Sequence, residues 1–97
     1  MSRSMEHAGA ALEKIVVGAV RRAPSQEGPV LAWPLACGAK VAERTRALGF
    51  AAGILRVEVP DAGWRAELRE LAPRYLALIN RYVVERVDRI EFVIRSS

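Results

Sequence analysis

Apolar residues recur at helical spacing in three stretches of the chain. The first lies between His7 and Arg22, where one apolar stripe faces away from the charged residues, as in an amphipathic helix. The second runs from about Val30 to Arg46 and also keeps its apolar residues on a common face. Gly38 lies inside this second stretch, where glycine costs about 1 kcal/mol relative to alanine. We therefore expect Gly38 to allow close approach of another element, most simply the first helix.

The third stretch has the most regular helical spacing. Its apolar positions, four, three, four, three and four residues apart, are Trp64, Leu68, Leu71, Tyr75, Leu78 and Tyr82. Asp61 precedes them and is placed to cap the helix. Pro73 lies inside the pattern, and an interior proline clashes with the carbonyl four residues before it. The sequence therefore predicts a third helix that is kinked or broken near Pro73.

Apolar and polar residues alternate in two further segments, as in strands that lie on a core. In Ile54–Val59 the apolar side alternates with Arg56 and Glu58. The run Leu48–Ala52 is its predicted hairpin partner, with the turn at Ala52-Gly53, where glycine can adopt positive φ. The last strand is predicted over Val87–Ile94, with Ile90, Phe92 and Ile94 pointing inward.

The predicted order of elements is α-α-β-β-α-β, which indicates an α+β fold with helices packed on a three-stranded sheet. A chain of 97 residues has room for one domain. We place that domain at residues 7–95 and expect residues 1–6 to form a flexible N-terminus.

Few residues could carry catalysis or hold a metal. The chain has a single cysteine, Cys37, and a single histidine, His7. A structural zinc site takes about four such ligands, and an intrachain disulfide takes two cysteines. No phosphate-binding loop or catalytic triad pattern is present. We therefore predict a non-enzymatic protein without cofactor, metal or small-molecule substrate.

The large side chains and the thiol are expected to serve packing. Trp33 and Trp64 each begin the apolar stripe of a helix, so we expect them in the core. Cys37 lies on the stripe of Trp33, and we interpret it as a buried structural thiol. Tyr75 and Tyr82 are expected to be half-exposed.

The net charge of +4 at pH 7 is mild and spread along the chain. Two groups of cations could bind phosphates without sequence preference. The candidate nucleic-acid-binding residues are Lys40, Arg44 and Arg46 in one group and Arg56, Arg65 and Arg69 in the other. A basic surface that only keeps the protein in solution remains an equal alternative at this point.

The lone thiol is typical of a reducing compartment. No apolar run near the start reaches the ~20 residues of a membrane span. We therefore expect a cytoplasmic protein with no membrane partner.

A longer pattern of residues connects these elements. Its parts are Trp33, Gly38, Val41-Ala42 and Thr45-Arg46, then Gly53-Ile54-Leu55-Arg56-Val57-Glu58-Val59, then Trp64-Arg65-Ala66-Glu67-Leu68, Leu71-Ala72-Pro73 and Leu78-Ile79-Asn80, and finally Ile90-Glu91-Phe92. This succession resembles the DciA family, over roughly residues 12–95.

The resemblance implies a KH-like fold and a role in DNA replication, in which the protein contacts the replicative DnaB-type helicase and weakly binds DNA, single-stranded or without sequence preference. KH domains that bind single strands use a Gly-x-x-Gly loop between two helices. The corresponding predicted break here reads Leu71-Ala72-Pro73-Arg74, so we do not expect a nucleotide clamp of the KH type.

Two other hypotheses remain. One is a general single-stranded nucleic-acid or RNA-binding module without a helicase role, and the other is a purely structural interaction domain.

Overall fold

The computed structural model describes residues 17–20 and 27–96 of the chain. Its elements are α1 at the helical residues 17–20, α2 (Gly28–Cys37), α3 (Ala39–Arg44), β1 (Arg46–Ala51), β2 (Ile54–Val59), α4 (Ala62–Ile79) and β3 (Arg89–Ile94). This confirms the predicted order, with the second predicted helix divided into two. The predicted flexible segment 1–6, most of the first predicted helix and residues 21–26 lie outside the described residues.

The sheet has the strand order β1-β2-β3. β1 and β2 pair antiparallel as a hairpin, and β2 and β3 pair parallel with α4 as the connection between them. The hairpin turn falls at Ala52 and Gly53, as predicted, and both have positive φ, at 52° and 78°. A Cβ at Gly53 would also collide with the carboxylate of Asp88. The positive φ therefore favours glycine at this turn, and an added Cβ would also force the exposed Asp88 side chain to move.

The described helices pack on one face of the sheet, and none of them covers the other, which we call the open face. The inward side chains of β2, at Leu55, Val57 and Val59, are completely buried. Trp33 of α2 is 1% exposed, as predicted for a core residue, and its ring meets those of Tyr75 and Phe92 edge-on, at centroid distances of 5.3 and 6.1 Å. Helices on one face of a three-stranded sheet are compatible with the KH-like fold that the resemblance implied.

Gly38 ends α2 instead of lying inside a longer helix. Its backbone has φ 83° and ψ 164°, a conformation that is accessible almost only to glycine. Among the described residues, a Cβ at this position would meet nothing within 4 Å. The first predicted helix, which was the expected neighbour, lies mostly outside the described residues. Within them, the role of Gly38 is to change the chain direction between α2 and α3.

The third predicted helix is not broken. α4 continues through Pro73 from Ala62 to Ile79, so of the kink or break predicted near Pro73, the break between Leu71 and Arg74 does not occur. Pro73 is on the exposed side of α4, where the carbonyl that loses its partner faces water. The predicted N-cap is confirmed, since the amide of Trp64 donates a 2.9 Å hydrogen bond to the Asp61 carboxylate.

The buried side of α4 differs in detail from the predicted stripe. Leu68, Tyr75 and Ile79 are buried, whereas Leu71 is 37% exposed. Trp64 is only half-buried and packs against the margin of the core, because it lies in the first turn of the helix. Tyr75 is buried instead of half-exposed, because it stacks edge-on against Trp33. Tyr82 is half-buried, as expected, and lies beyond the helix end.

The strands also differ from the predictions at their ends. β1 begins at Arg46, earlier than predicted, and a bulge between Ala47 and Gly49 leaves Leu48 without a partner on β2. β3 begins only at Arg89, and Ile94 is 40% exposed instead of pointing into the core. These differences arise because both strands lie at sheet edges, where alternation is a weaker guide to burial.

Candidate functional site

The six cations predicted to bind nucleic acid lie at three places in the fold. Lys40 and Arg44 are on α3 and Arg46 opens β1, Arg56 is in the middle of β2, and Arg65 and Arg69 are on α4. The structure therefore brings together the first group and separates the second.

We call Lys40, Arg44 and Arg46 the basic cluster. All three side chains are exposed. None of them forms an ion pair with any residue in the parts of the chain that the structure describes. Arg44 is in the last turn of α3, where the helix dipole favours a positive charge. The cluster is thus a set of cations whose charges are available to an anion.

A hydrogen-bond relay attaches the basic cluster to the core. The indole Nε1 of Trp33 donates to the hydroxyl of Thr45 over 2.9 Å, and that hydroxyl donates to the carbonyl of Val41 over 2.8 Å. Thr45 has extended backbone angles, so it forms the corner between α3 and β1. The relay fixes this corner and with it the positions of Arg44 and Arg46 on either side.

Arg56 belongs to a different surface. It projects from the open face of the sheet, and its Nε lies 3.5 Å from Oε1 of Glu91 on β3. Arg89 approaches the same carboxylate at 3.8 Å, and Arg95 lies 3.4 Å from Glu58. These exposed pairs contribute little to stability, and they partly offset the positive charge of this face.

Arg65 and Arg69 lie on α4, which packs against the opposite face of the sheet from Arg56. Arg69 is exposed and Arg65 is half-buried. The second group of cations therefore does not form one strip with Arg56, and Arg65 and Arg69 form a separate pair one helical turn apart.

A shallow recess lies beside Arg56 on the open face. It has a volume of about 420 Å³ and is lined by Gly49, Phe50, Ala51, Ile54, Arg56 and Glu91. Gly49 and Ala51 of β1 create the recess, because residues this small leave the neighbouring Ile54 of β2 partly uncovered. The recess was not expected from the sequence, although the two small residues in a strand were a visible signal.

Cys37 is half-buried, less than was expected. Burial raises the pKa of its thiol to about 11, and its Sγ lies 3.6 Å from the carbonyl oxygen of Gly38. At neutral pH the thiol is protonated, so it is a poor nucleophile.

No group of three or more potential metal-binding side chains occurs within residues 17–20 and 27–96. None of the helices in those parts of the chain has the length and apolar character that crossing a bilayer requires.

A comparison with protein-family models assigns the chain to a family. A family model described as "Dna[CI] antecedent, DciA" matches residues 7–92. The chain belongs to the DciA family. The resemblance recognised from the sequence is confirmed, and comparison with curated proteins gave no match. The DciA family is associated with loading of the DnaB helicase in replication, and it is a loader or adaptor family rather than a catalytic one.

Two residues in the DciA-like pattern have structural roles that the sequence did not reveal. Thr45 accepts the indole hydrogen bond, as described above. Asn80, just after α4, uses both ends of its amide on the main chain of Val87, donating to the carbonyl over 3.0 Å and accepting from the N–H over 2.8 Å. It thereby holds the connection between α4 and β3.

Proposed function

We propose that this chain is a non-enzymatic adaptor of DNA replication that contacts the DnaB-type helicase and binds DNA weakly through the basic cluster. The observation that carries the proposal is the family match over residues 7–92, which spans the helices and the sheet together. The helicase partnership comes to this chain from its family. The DNA contact is argued from the cations themselves.

The basic cluster has the properties that phosphate binding requires. Its three cations are exposed and lack ion-pair partners within the described residues, so an incoming phosphate displaces no carboxylate there. The relay from Trp33 through Thr45 holds the corner from which Arg44 and Arg46 project. A contact of about three phosphates on a single strand gives a slope of log affinity against log salt of about −2. Binding of this kind is weak, without sequence preference, and sensitive to salt.

The other predicted cations are proposed as secondary contacts. Arg65 and Arg69 offer a second pair on α4, without ion pairs among the described residues, and Arg56 offers a charge on the open face of the sheet. Because these lie on different faces, one short strand of DNA cannot touch all of them and the basic cluster together. Their loss should therefore affect binding less than loss of the basic cluster.

Fluorescence anisotropy with a labelled single-stranded oligonucleotide tests the DNA contact. The double variant Arg44→Glu/Arg46→Glu should weaken binding at least about tenfold at low salt and flatten the salt slope. The matched control, Arg74→Glu/Arg81→Glu, makes the same change in net charge at two other exposed cations without ion pairs in the described residues. Equal loss in both variants would show that only net charge matters, and would exclude the basic cluster as the specific DNA contact.

A helicase-binding measurement separates this proposal from its alternative. An adaptor associates with the DnaB-type helicase, whereas a general nucleic-acid-binding module binds the oligonucleotide but not the helicase. Sedimentation velocity of the chain with the helicase, in the absence of DNA, distinguishes the two.

A further inference from the structure

β1 is an edge strand whose outer side has no main-chain partner among the described residues. Its main-chain hydrogen bonds join it to β2, and none joins it to any other segment among residues 17–20 and 27–96. An edge strand presents a row of N–H and C=O groups that can pair with an added strand. The backbone of β1 is therefore able to accept a further strand along Arg46–Ala51.

The recess described above opens beside this edge. Its volume of about 420 Å³ lies within the range of about 300–1,000 Å³ that is usual for ligand sites. A Cβ added at Gly49 would meet none of the described residues within 4 Å, so they leave the space directly over this strand position open. A side chain from an added strand can reach across Gly49 and Ala51 to the apolar surface of Ile54.

The charges around the edge determine which strand fits. Arg46 lies at one end of β1 without an ion pair in the described residues, and Arg56 stands at the rim of the recess. The carboxylate at the recess, Glu91, already interacts with Arg56 and Arg89. An added strand that carries carboxylates would complement the excess of arginines.

We infer that the free edge of β1 and the adjoining recess bind an extended acidic peptide segment, with one apolar side chain in the recess and carboxylates near Arg46 and Arg56. The inference does not depend on the proposed DNA contact. A peptide fits better than a nucleic acid because no aromatic side chain projects from the open face of the described strands to stack on bases. The edge also offers the backbone pairing that only a polypeptide strand can use.

A designed peptide tests this inference directly. The probe has six residues, the length of β1, in the order threonine, glutamate, threonine, isoleucine, threonine, glutamate, with an amino-terminal fluorophore. Alternation places isoleucine and both glutamates on one side of an extended strand. In the control peptide lysines replace the glutamates. Binding to the full chain is measured by anisotropy, and hydrogen exchange of the β1 amides reports pairing at the edge.

The decisive variant is Gly49→Leu, which fills the recess without meeting other atoms at its Cβ and leaves every cation in place. We expect it to weaken peptide binding at least about tenfold while DNA binding is unchanged, so that the two sites are distinguished. Arg56→Glu should also weaken the acidic peptide, and the lysine peptide should not bind.

Four results would overturn the inference. The first is unchanged peptide affinity in Gly49→Leu, and the second is binding without slower exchange in β1. The third is loss of oligonucleotide affinity in Gly49→Leu, which would assign this face to nucleic acid. Concentration-dependent dimerisation that Gly49→Leu abolishes would likewise replace the peptide with a second copy of the chain.

Discussion

Replacing Asn80 by alanine should destabilise the fold strongly, although the side chain touches neither DNA-binding candidates nor the recess. Asn80 satisfies both the N–H and the C=O of Val87, which is 1% exposed. Alanine removes both partners at once and supplies nothing in their place. The connection between α4 and β3 then keeps the packing of Val87, the main-chain hydrogen bonds of residues 81–83 to the end of α4, and the hairpin contacts of Asp88 and Arg89.

The expected magnitude follows from the cost of buried polar groups without partners. Each such group costs about 1–3 kcal/mol, and water can reach part of this loop because the two bonds are only partly buried. We therefore expect Asn80→Ala to lower the free energy of unfolding by about 2–3 kcal/mol. For a domain of this size that corresponds to a fall in Tm of about 10 °C or more.

Urea denaturation followed by the fluorescence of Trp33 and Trp64 measures this effect. The midpoint should fall while the m value stays the same, since the surface exposed on unfolding hardly changes. The neighbouring exposed side chain provides the control, because Arg81→Ala should change stability by no more than about 0.5 kcal/mol. A loss below about 1 kcal/mol in Asn80→Ala would refute the view that this side chain holds the connection.

Three further predictions concern the corner at the basic cluster and the thiol. Thr45→Val keeps the shape of the side chain but leaves the indole N–H of Trp33 without its acceptor, so unfolding free energy should fall by about 1–3 kcal/mol in the same urea assay; an unchanged midpoint would contradict the relay. Gly38→Ala should cost about 1–3 kcal/mol through backbone strain, because the added methyl meets none of the described residues within 4 Å. A Tm equal to that of the unsubstituted chain would show that the backbone relaxes. Burial raises the pKa of the Cys37 thiol to about 11. In the folded chain this thiol should therefore react with iodoacetamide far more slowly at pH 8 than it does in the urea-unfolded chain. Its contribution to stability should be full below pH 9 and decline as pH rises through about 11. Alkylation of the folded chain at pH 8 as fast as that of the unfolded chain would contradict the raised pKa.

Local chemistry in the sequence was enough to predict the hairpin and the helix start. Positive φ at Gly53 and the Asp61 cap depend on the residues beside them, and both were confirmed. The side chains of β2 were also placed correctly, since its alternation is regular and the strand lies between two others.

The sequence was a poorer guide where tertiary packing or backbone detail decides. Gly38 could equally have been a contact point or a break, and only its backbone angles show the break. A proline in the sequence is compatible with a broken helix and with a continuous one. Here α4 continues because its buried residues before and after Pro73 pack in the core. Tyr75 was misplaced because its burial depends on Trp33, which is distant in sequence.

The candidate site was predictable only in part. The members of the basic cluster are close in sequence, so their proximity in space follows from the chain itself. The grouping of Arg56 with Arg65 and Arg69 failed because Arg56 projects from one face of the sheet and α4 packs against the other. The recess depends on small residues at the edge of a sheet, and strand order is not visible in the sequence.

The central claim is that this chain is an adaptor for the DnaB-type helicase, and sedimentation velocity of the two proteins without DNA tests it most directly. We predict a complex at micromolar concentrations. The chain sedimenting as a free species beside the helicase, at micromolar concentration and low salt, would contradict the claim.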